Sequence, residues 1–385
     1  MDEKSLKTAR FPMSGTFELT ARCNQRCGMC FIRVDEERIR ELGKRELTTA
    51  EWIDLARQAA DMGTVNLLLT GGEPMIRPDF PEIYEAIMGM GFYLTLYTNA
   101  TALTPKTREL LTRLPPHKVG ITLYGASPET YEATCGVASG YEKTLEGIHF
   151  FRTLPSILEI RTTIVKSNLK DLDAIRSFAE SLGEEVSFTI SNIVSKQIRG
   201  GVADVASFRL SPEEQLRLYF DVTLREALKA AGPQGNARAK RRMHTTFEDM
   251  ESAGKRREYE DDIRRNPQRR ASLLGCGAGM DQYTITWDGR LIGCQMLDSR
   301  GTDALELGIR QAWEDYPLTV PPLLGNPVCG SCAHAQNCMA CPATRLAESG
   351  DLSGVPEYSC QMAHLADTTD FTNEIQKNMI ERISR

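Results

Sequence analysis

The sequence predicts an α/β protein built on a parallel sheet and followed by a smaller cysteine-rich domain. Strand-like and helix-like segments alternate from about residue 16 to 191, and such alternation forces parallel pairing with helical crossovers. Seven of the eleven cysteines crowd into residues 276 to 360, after the alternation has stopped.

Thr16 to Thr20 reads as the first strand and leads into a loop carrying Cys23, Cys27 and Cys30. Thr48 to Met62 is an amphipathic helix with Trp52, Leu55, Ala56 and Ala59 on one face and Gly63 at its end. Val65 to Thr70 is the second strand, its run Leu67-Leu68-Leu69 typical of a buried parallel strand. Helical spacing over Asp79 to Met90 precedes a third strand, Phe92 to Thr98, and Thr104-Pro105 opens a helix that runs to Leu114. Val119 to Tyr124, Leu158 to Val165 and Glu185 to Ile190 are strands four to six, each preceded by a helical stretch. From about Gly200 to Arg270 the chain becomes polar and helix-forming, with a capping box at Ser211 and Glu214 and a break at 232–236. Tyr283 to Ile292 holds two strands around the Asp288-Gly289 turn, a hairpin signal. Phe371, Ile375, Met379 and Ile383 lie at helical spacing and suit a terminal packing helix. The expected organisation is a short extension at 1–15, the alternating domain at 16–199, connecting helices at 200–270, the cysteine-rich domain at 271–362 and a helix at 363–385.

Composition is that of a large globular protein: 385 residues, 41% hydrophobic and 25% charged, with room for two or three domains. No stretch approaches the ~20 apolar residues of a membrane span, so no membrane partner is expected. Met1 to Gly15 carries charge and no apolar core, unlike a secretory signal. Eleven cysteines without an export signal point to metal thiolates in a reducing cytoplasm. A net charge of −6 argues against nucleic acid as a partner. The basic runs Arg238 to Arg242 and Lys255 to Arg270 read as solvated helical faces.

The chemistry begins at the spacing C-x3-C-x2-C. A [4Fe–4S] cluster used only for electron transfer takes four thiolates; three leave one iron open to a small molecule. A zinc knuckle or a redox pair are the competing readings, but zinc sites favour C-x2-C pairs with a fourth Cys or His, and no His lies near residue 30. About forty residues on, the second strand ends in Gly71-Gly72-Glu73-Pro74. This joint pattern, with Phe31 directly after Cys30, resembles the signature of the radical AdoMet (radical SAM) superfamily.

The resemblance implies a partial, TIM-like (β/α)6 barrel with ligands at the carboxyl ends of its strands. It implies a [4Fe–4S] cluster on Cys23, Cys27 and Cys30, and S-adenosyl-L-methionine chelating the open iron. Gly71, Gly72, Glu73 and Pro74 would line the AdoMet amino group, the glycines letting backbone approach the ligand. Met29, Thr98, Asn99, Thr122 and Arg161 are cofactor-binding candidates by position.

The later cysteines read C-x12-G-x4-C over Cys276, Gly289 and Cys294, then Cys329-x2-Cys332-x5-Cys338-x2-Cys341 and Cys360. This is similar to the SPASM extension of radical AdoMet enzymes, with x2 in place of the usual x3 before Cys341; a two-zinc ribbon is the alternative. The resemblance assigns Cys329, Cys332, Cys338 and Cys360 to one auxiliary [4Fe–4S] cluster, and Cys276, Cys294 and Cys341 to another. The second set is one thiolate short, leaving an open iron or a ligand such as Asp281, and gives three clusters in all. Cys135 stands outside both groups, more simply a small buried residue than a catalytic thiol. The five histidines show no ligand spacing with one another.

SPASM enzymes mostly act on peptide side chains, so the expected function is thioether or carbon–carbon crosslinking of a ribosomally synthesised precursor peptide. Sulfatase-type maturation is disfavoured, because those relatives place an Asp after the second hairpin cysteine where this chain has Gln295, and an amide cannot take the proton. Only 22 residues precede Cys23, so leader binding is expected to use the connecting helices or a separate protein. An electron donor such as flavodoxin or ferredoxin is a further expected partner. The alternatives are a radical dehydrogenase or epimerase acting on a small molecule or peptide backbone, and a non-enzymatic zinc or Fe–S interaction module.

Overall fold

The computed structural model describes residues 10–191, 205–222, 277–298, 300–320, 326–338 and 340–368. The chain divides into two compact units, one formed by Met1–Arg209 with Cys276–Pro321, the other by Leu210–Gly275 with Pro322–Arg385. Cys276, both basic runs, the 232–236 break and the expected helix at 371–383 lie outside the described residues.

The first unit is built on one sheet. Its strands are β1 (Ser14–Glu18), β2 (Asn66–Thr70), β3 (Tyr93–Thr98), β4 (Lys118–Thr122), β5 (Ile157–Thr163), β6 (Ser187–Ser191), β7 (Gln282–Ile285), β8 (Arg290–Ile292) and β9 (Thr302–Asp303). Their order is β6-β5-β4-β3-β2-β1-β7-β8-β9. The first six pair in parallel and in chain order, which makes an open partial barrel.

Phe17, Leu67, Leu69, Leu94, Leu96, Val119, Ile121, Leu158 and Ile160 are buried on the face that the crossover helices cover. Helix Thr49–Asp61 lays Trp52, Leu55, Ala56 and Ala59 on that face, with the Trp52 ring 5.2 Å from Phe17. A full capping box starts it: Thr48 N donates to Glu51 Oε2 at 2.8 Å, and Glu51 N donates to Thr48 Oγ1 at 3.3 Å. Paired with Arg45, the Glu51 carboxyl is held down at about 2.

β1 ends at Glu18, two residues before the sequence predicts. Beyond it the backbone turns to the loop after β2: Gly72 N donates to Thr20 O at 2.8 Å and Glu73 N to Arg22 O at 2.9 Å. The predicted hairpin forms as β7 and β8, and β7 pairs in parallel with the outer edge of β1. It therefore extends the barrel sheet, whereas the sequence grouped it with the later cysteines. Gly15 makes room for this junction, since a Cβ there would lie 2.8 Å from the Tyr283 hydroxyl, which shares a 2.9 Å hydrogen bond with Thr64.

In the second unit a helix from 212 begins with the expected capping box, Ser211 N donating to Glu214 Oε2 at 2.8 Å and Glu214 N to Ser211 Oγ at 3.2 Å. Helices Pro327–Gly330, Pro342–Ser349 and Glu357–Thr368 frame the later cysteines.

Candidate active site

The cysteine loop hangs from the carboxyl end of β1 and is fixed on both flanks. Its stem is clamped by Glu46, which accepts from Ala21 N (3.1 Å), the Thr20 hydroxyl and the Arg22 guanidinium (2.9 Å). Arg77, buried, donates to Leu19 O (2.8 Å), Leu47 O (3.0 Å) and Asp79. On the far flank, Arg26 N donates to Cys135 O at 2.7 Å and Gly28 N to Thr134 O at 3.2 Å, so helix Pro128–Cys135 holds the loop by its last carbonyls.

The three thiols sit among donors aimed at sulfur. Gln25 N (3.4 Å) and Asn99 Nδ2 (3.7 Å) donate to Cys23 Sγ, and Arg33 N (3.4 Å) donates to Cys30 Sγ. All three thiols are pushed up: Cys23 by burial and then by the Glu73 carboxylate, Cys30 by burial and then by Cys27. Cys27 is pushed up first by contact with the Cys135 thiol and then by burial. Thiols that resist ionisation in the metal-free chain suit iron, which supplies the missing positive charge. Among the described residues no three Cys, His, Asp or Glu side chains converge on a single ion; in a cubane each thiolate takes a different iron. The donor set and its N–H···S bonds thus fit a [4Fe–4S] cluster.

The loop after β2 packs on this stem. A Cβ on Gly72 would lie 2.1 Å from Arg22 O, and one on Gly71, at φ +136°, 2.4 Å from Thr20 O. The glycines are therefore demanded by the chain's own backbone. Glu73 is fully buried and ties β2 to β3: it accepts from Asn99 N (2.7 Å), Met75 N (3.1 Å) and the Thr98 hydroxyl (2.8 and 2.9 Å). Burial pushes its carboxyl up to about 7 against the pull of these donors. Pro74 opens a short 3-10 turn behind it.

Asn99 links the two loops, donating to Asn24 Oδ1 at 2.8 Å as well as to Cys23. Thr122 ends β4 opposite Arg161. Arg161 faces the barrel interior, donating to Tyr97 OH (2.9 Å) and Glu159 Oε2 (3.0 Å), with Lys118 on the same carboxylate (3.0 Å). Met29 packs with Val165, Cys27, Tyr124 and Phe208.

Phe208 and Tyr124 had no sequence signal. The Phe208 ring lies on Gly28, where a Cβ would be 2.1 Å away. Neither Arg77 nor Glu46 stands in a motif, so their clamp was also invisible; only their charge at buried positions betrays it. Cys135 is fully buried, but its place against Cys27 was not foreseen.

In the second unit, Cys360 is raised by burial and then by the thiols of Cys338, Cys329 and Cys332, which lie near enough to act on it electrostatically. Arg345 Nη1 donates to Cys329 Sγ at 2.9 Å. Cys341 caps helix Pro342–Ser349, accepting from Thr344 N at 3.4 Å. The His334 and His364 rings lie with centroids 3.8 Å apart, tilted by 41°, with Asp367 bonded to His334, a pairing that thirty residues of separation hid. Cys294 follows β8 in the first unit, and Asp281 is exposed beside Gly277.

Residues 17–179 match the radical SAM superfamily. The chain carries a radical SAM domain. It is 29% identical over 344 residues to the AdoMet-dependent heme synthase of Methanosarcina barkeri, covering 87% of this chain and 92% of that protein. It is also 29% identical over 168 residues to the PqqA peptide cyclase of Rhizobium meliloti, a match spanning 44% of each chain. Among solved structures, Streptococcus suis SuiB bound to S-adenosylmethionine superposes with a TM-score of 0.62 over 93% of this chain and 80% of SuiB, at 17% identity. Native anSMEcpe with bound AdoMet gives 0.60 over 95% of this chain and all (100%) of that one, at 14% identity. At such identities the likeness is one of fold. The family binds AdoMet and a [4Fe–4S] cluster, and no helix among the described residues is long and apolar enough to cross a membrane.

Proposed function

We propose that this radical SAM enzyme modifies a side chain of a ribosomally synthesised precursor peptide, forming a thioether or a carbon–carbon crosslink. The observation that carries the reading is the radical SAM domain with its similarity to PqqA peptide cyclase, and the electrostatic proximity of Cys329, Cys332 and Cys338 to Cys360 supports an auxiliary cluster. Four thiolates complete a cluster, and a closed cluster suits electron transfer, such as removal of an electron from a product radical. Cys276, Cys294 and Cys341 would hold a third cluster, its last iron open or bound by a residue such as Asp281. Bound AdoMet would supply the 5′-deoxyadenosyl radical. The chain's own part is to seat the first cluster on Cys23, Cys27 and Cys30, with the loop from Gly71 to Pro74 and Met29, Thr98, Asn99, Thr122 and Arg161 around the cofactor. A flavodoxin or ferredoxin would deliver the electron, and a separate protein could present the peptide leader. The fold shared with SuiB, a structure of which is bound to precursor peptide SuiA, and the similarity to PqqA peptide cyclase support the peptide class.

Iron analysis after anaerobic reconstitution tests the cluster count: about twelve per chain is expected from three cubanes, and about four would remove the auxiliary pair. Coexpression with the short reading frames flanking the gene tests the substrate. A peptide lighter by two hydrogens is the expected product.

Similarity along 92% of a heme synthase favours a second reading, oxidation of a small molecule of the porphyrin class. Incubating the reconstituted enzyme with an iron porphyrin separates the two, since only this reading gives a changed porphyrin mass and visible spectrum.

A further inference from the structure

Gln25 lies inside the cysteine loop and is buried, at 3% exposure. Its backbone N–H donates to Cys23 Sγ at 3.4 Å, while its side-chain Oε1 accepts from the Cys27 thiol at 3.6 Å. The other corner of the amide packs against the start of helix Gly140–Arg152, where a Cβ on Gly140 would lie 3.1 Å from Gln25 Nε2. Nε2 itself has no hydrogen-bond partner among the described residues. A buried amide N–H without an acceptor is destabilising.

Holding the loop does not require this amide. The backbone bonds from Arg26 and Gly28 to helix Pro128–Cys135 and the clamp at Glu46 already fix both flanks. The metal-free arrangement also breaks down once iron is bound. A cluster ligand is a thiolate, so Cys27 then has no proton to give, and Gln25 Oε1 would face a sulfur that only accepts. An amide carries its acceptor and its two donors at the corners of one nearly symmetric plane. Half a turn about its last bond puts Nε2 where Oε1 stands. It gives up no bond that survives ligation, because Nε2 has no acceptor where it lies now.

We propose that in the loaded enzyme Gln25 presents Nε2 to the Cys27 thiolate, and that this N–H···S bond raises the reduction potential of the cluster that cleaves AdoMet. Reduction takes one electron from the external donor and adds one negative charge, shared by the irons and their sulfurs. A donor on a ligand sulfur favours the more negative state. Gln25 acts through Cys27 and is a positioning residue, not a catalytic one. This rests on the cluster seat at Cys23, Cys27 and Cys30 and is indifferent to the substrate.

The test is an EPR-monitored redox titration of the full-length reconstituted enzyme, with neither AdoMet nor substrate added. The signal of this cluster is the one missing from the triple variant Cys23→Ala, Cys27→Ala, Cys30→Ala. Gln25→Leu keeps the bulk and Gln25→Met the length, and neither has a donor. Iron per chain should match the wild type in both. The ratio of reduced to oxidised cluster at a fixed potential should fall about tenfold, which for a one-electron couple is a downward shift of about 59 mV. An unchanged potential in either variant that keeps its iron overturns the proposal. Loss of the first cluster from both also overturns it, since that marks a structural role. If the triple variant loses no signal, the seat assigned to the first cluster is wrong and the proposal falls with it, before any Gln25 variant is made.

Discussion

Two cysteine sites occupy one chain, and they are held in opposite ways. Cys23, Cys27 and Cys30 come from a single loop whose stem is bonded to the ends of β1 and β2 and whose far side rests on helix Pro128–Cys135. Beneath it lies a core containing Phe17, Leu19, Trp52, Leu69 and Phe80. Cys329 and Cys360 come from two helices, and Cys332 and Cys338 from the turns between them. Among the described residues of 326–368, the buried apolar side chains are Ala343, Leu352, Pro356, Met362 and Ala363. The first site is built on the sheet and its covering helices, whereas around the second the described turns and helices bury few large apolar side chains, so metal is expected to contribute more to its order.

Stripping iron from the protein is the most severe way to break that comparison. In amide exchange of the cluster-free chain, β1 to β6 should keep their protection while residues 326–368 exchange at least a hundredfold faster than in the loaded enzyme, because metal-site binding energy is folding energy where the core is small. Equal retention in both regions would show that packing alone holds the second site.

Gly72→Val attacks the preorganised site through its backbone. The new side chain would meet Arg22 O at 2.1 Å, so either the loop after β2 or the cysteine stem must move, at the several kcal/mol that overpacking costs. AdoMet binding measured by equilibrium dialysis should fall below detection and the iron of the first cluster should become labile. Unchanged AdoMet affinity would mean that the two loops are not coupled.

The contrast also separates what was legible in the sequence from what was not. Alternation and apolar runs gave the six parallel strands to within about two residues, because burial on a helix-covered sheet enforces that pattern. The cysteine spacings and the run Gly71 to Pro74 were legible since covalent proximity places them. The reason for Gly72 was not: a loop's own tertiary partner, here Arg22, leaves no local mark. Nor did Tyr283 reveal that its hairpin would pair with β1, a contact spanning 268 positions between Gly15 and Tyr283. Gln295 looked only like a missing acid, and nothing local marked its bond to Glu18.

Glu73 sharpens the comparison through pH. Its folded carboxyl is raised from 4.5 to about 7 by burial, so the folded state binds this proton more tightly than the unfolded chain does. Its contribution is fully present below about 4.5 and is lost as pH rises through about 7, on the order of 3 kcal/mol. Urea unfolding of the cluster-free first unit, followed in the intact chain, should show that decline. Glu73→Gln should be less stable at pH 5, because its NH2 must face a backbone donor of Met75 or Asn99, and the gap should narrow by pH 8. Parallel curves for the two proteins would show that Glu73 does not titrate in this window.

Ala100 is the smallest test of how rigid the first site is. It follows Thr98 and Asn99 with φ +58°, a left-handed conformation that costs a residue with a Cβ roughly 1–2 kcal/mol. Its amide donates to the Thr98 hydroxyl at 2.8 Å, and Gly147 leaves space for its methyl, where a second Cβ would sit 2.5 Å away. Ala100→Gly removes the strain but also gives up a buried methyl, about 0.8 kcal/mol, and frees the unfolded chain by about 0.4–1 kcal/mol. These nearly cancel, so the denaturation midpoint should move by less than about 1 kcal/mol and AdoMet affinity by less than about threefold. A gain above about 2 kcal/mol with weakened AdoMet binding would mean that the strain at Ala100 is held for the cofactor, and that the first site is tensioned as well as preorganised.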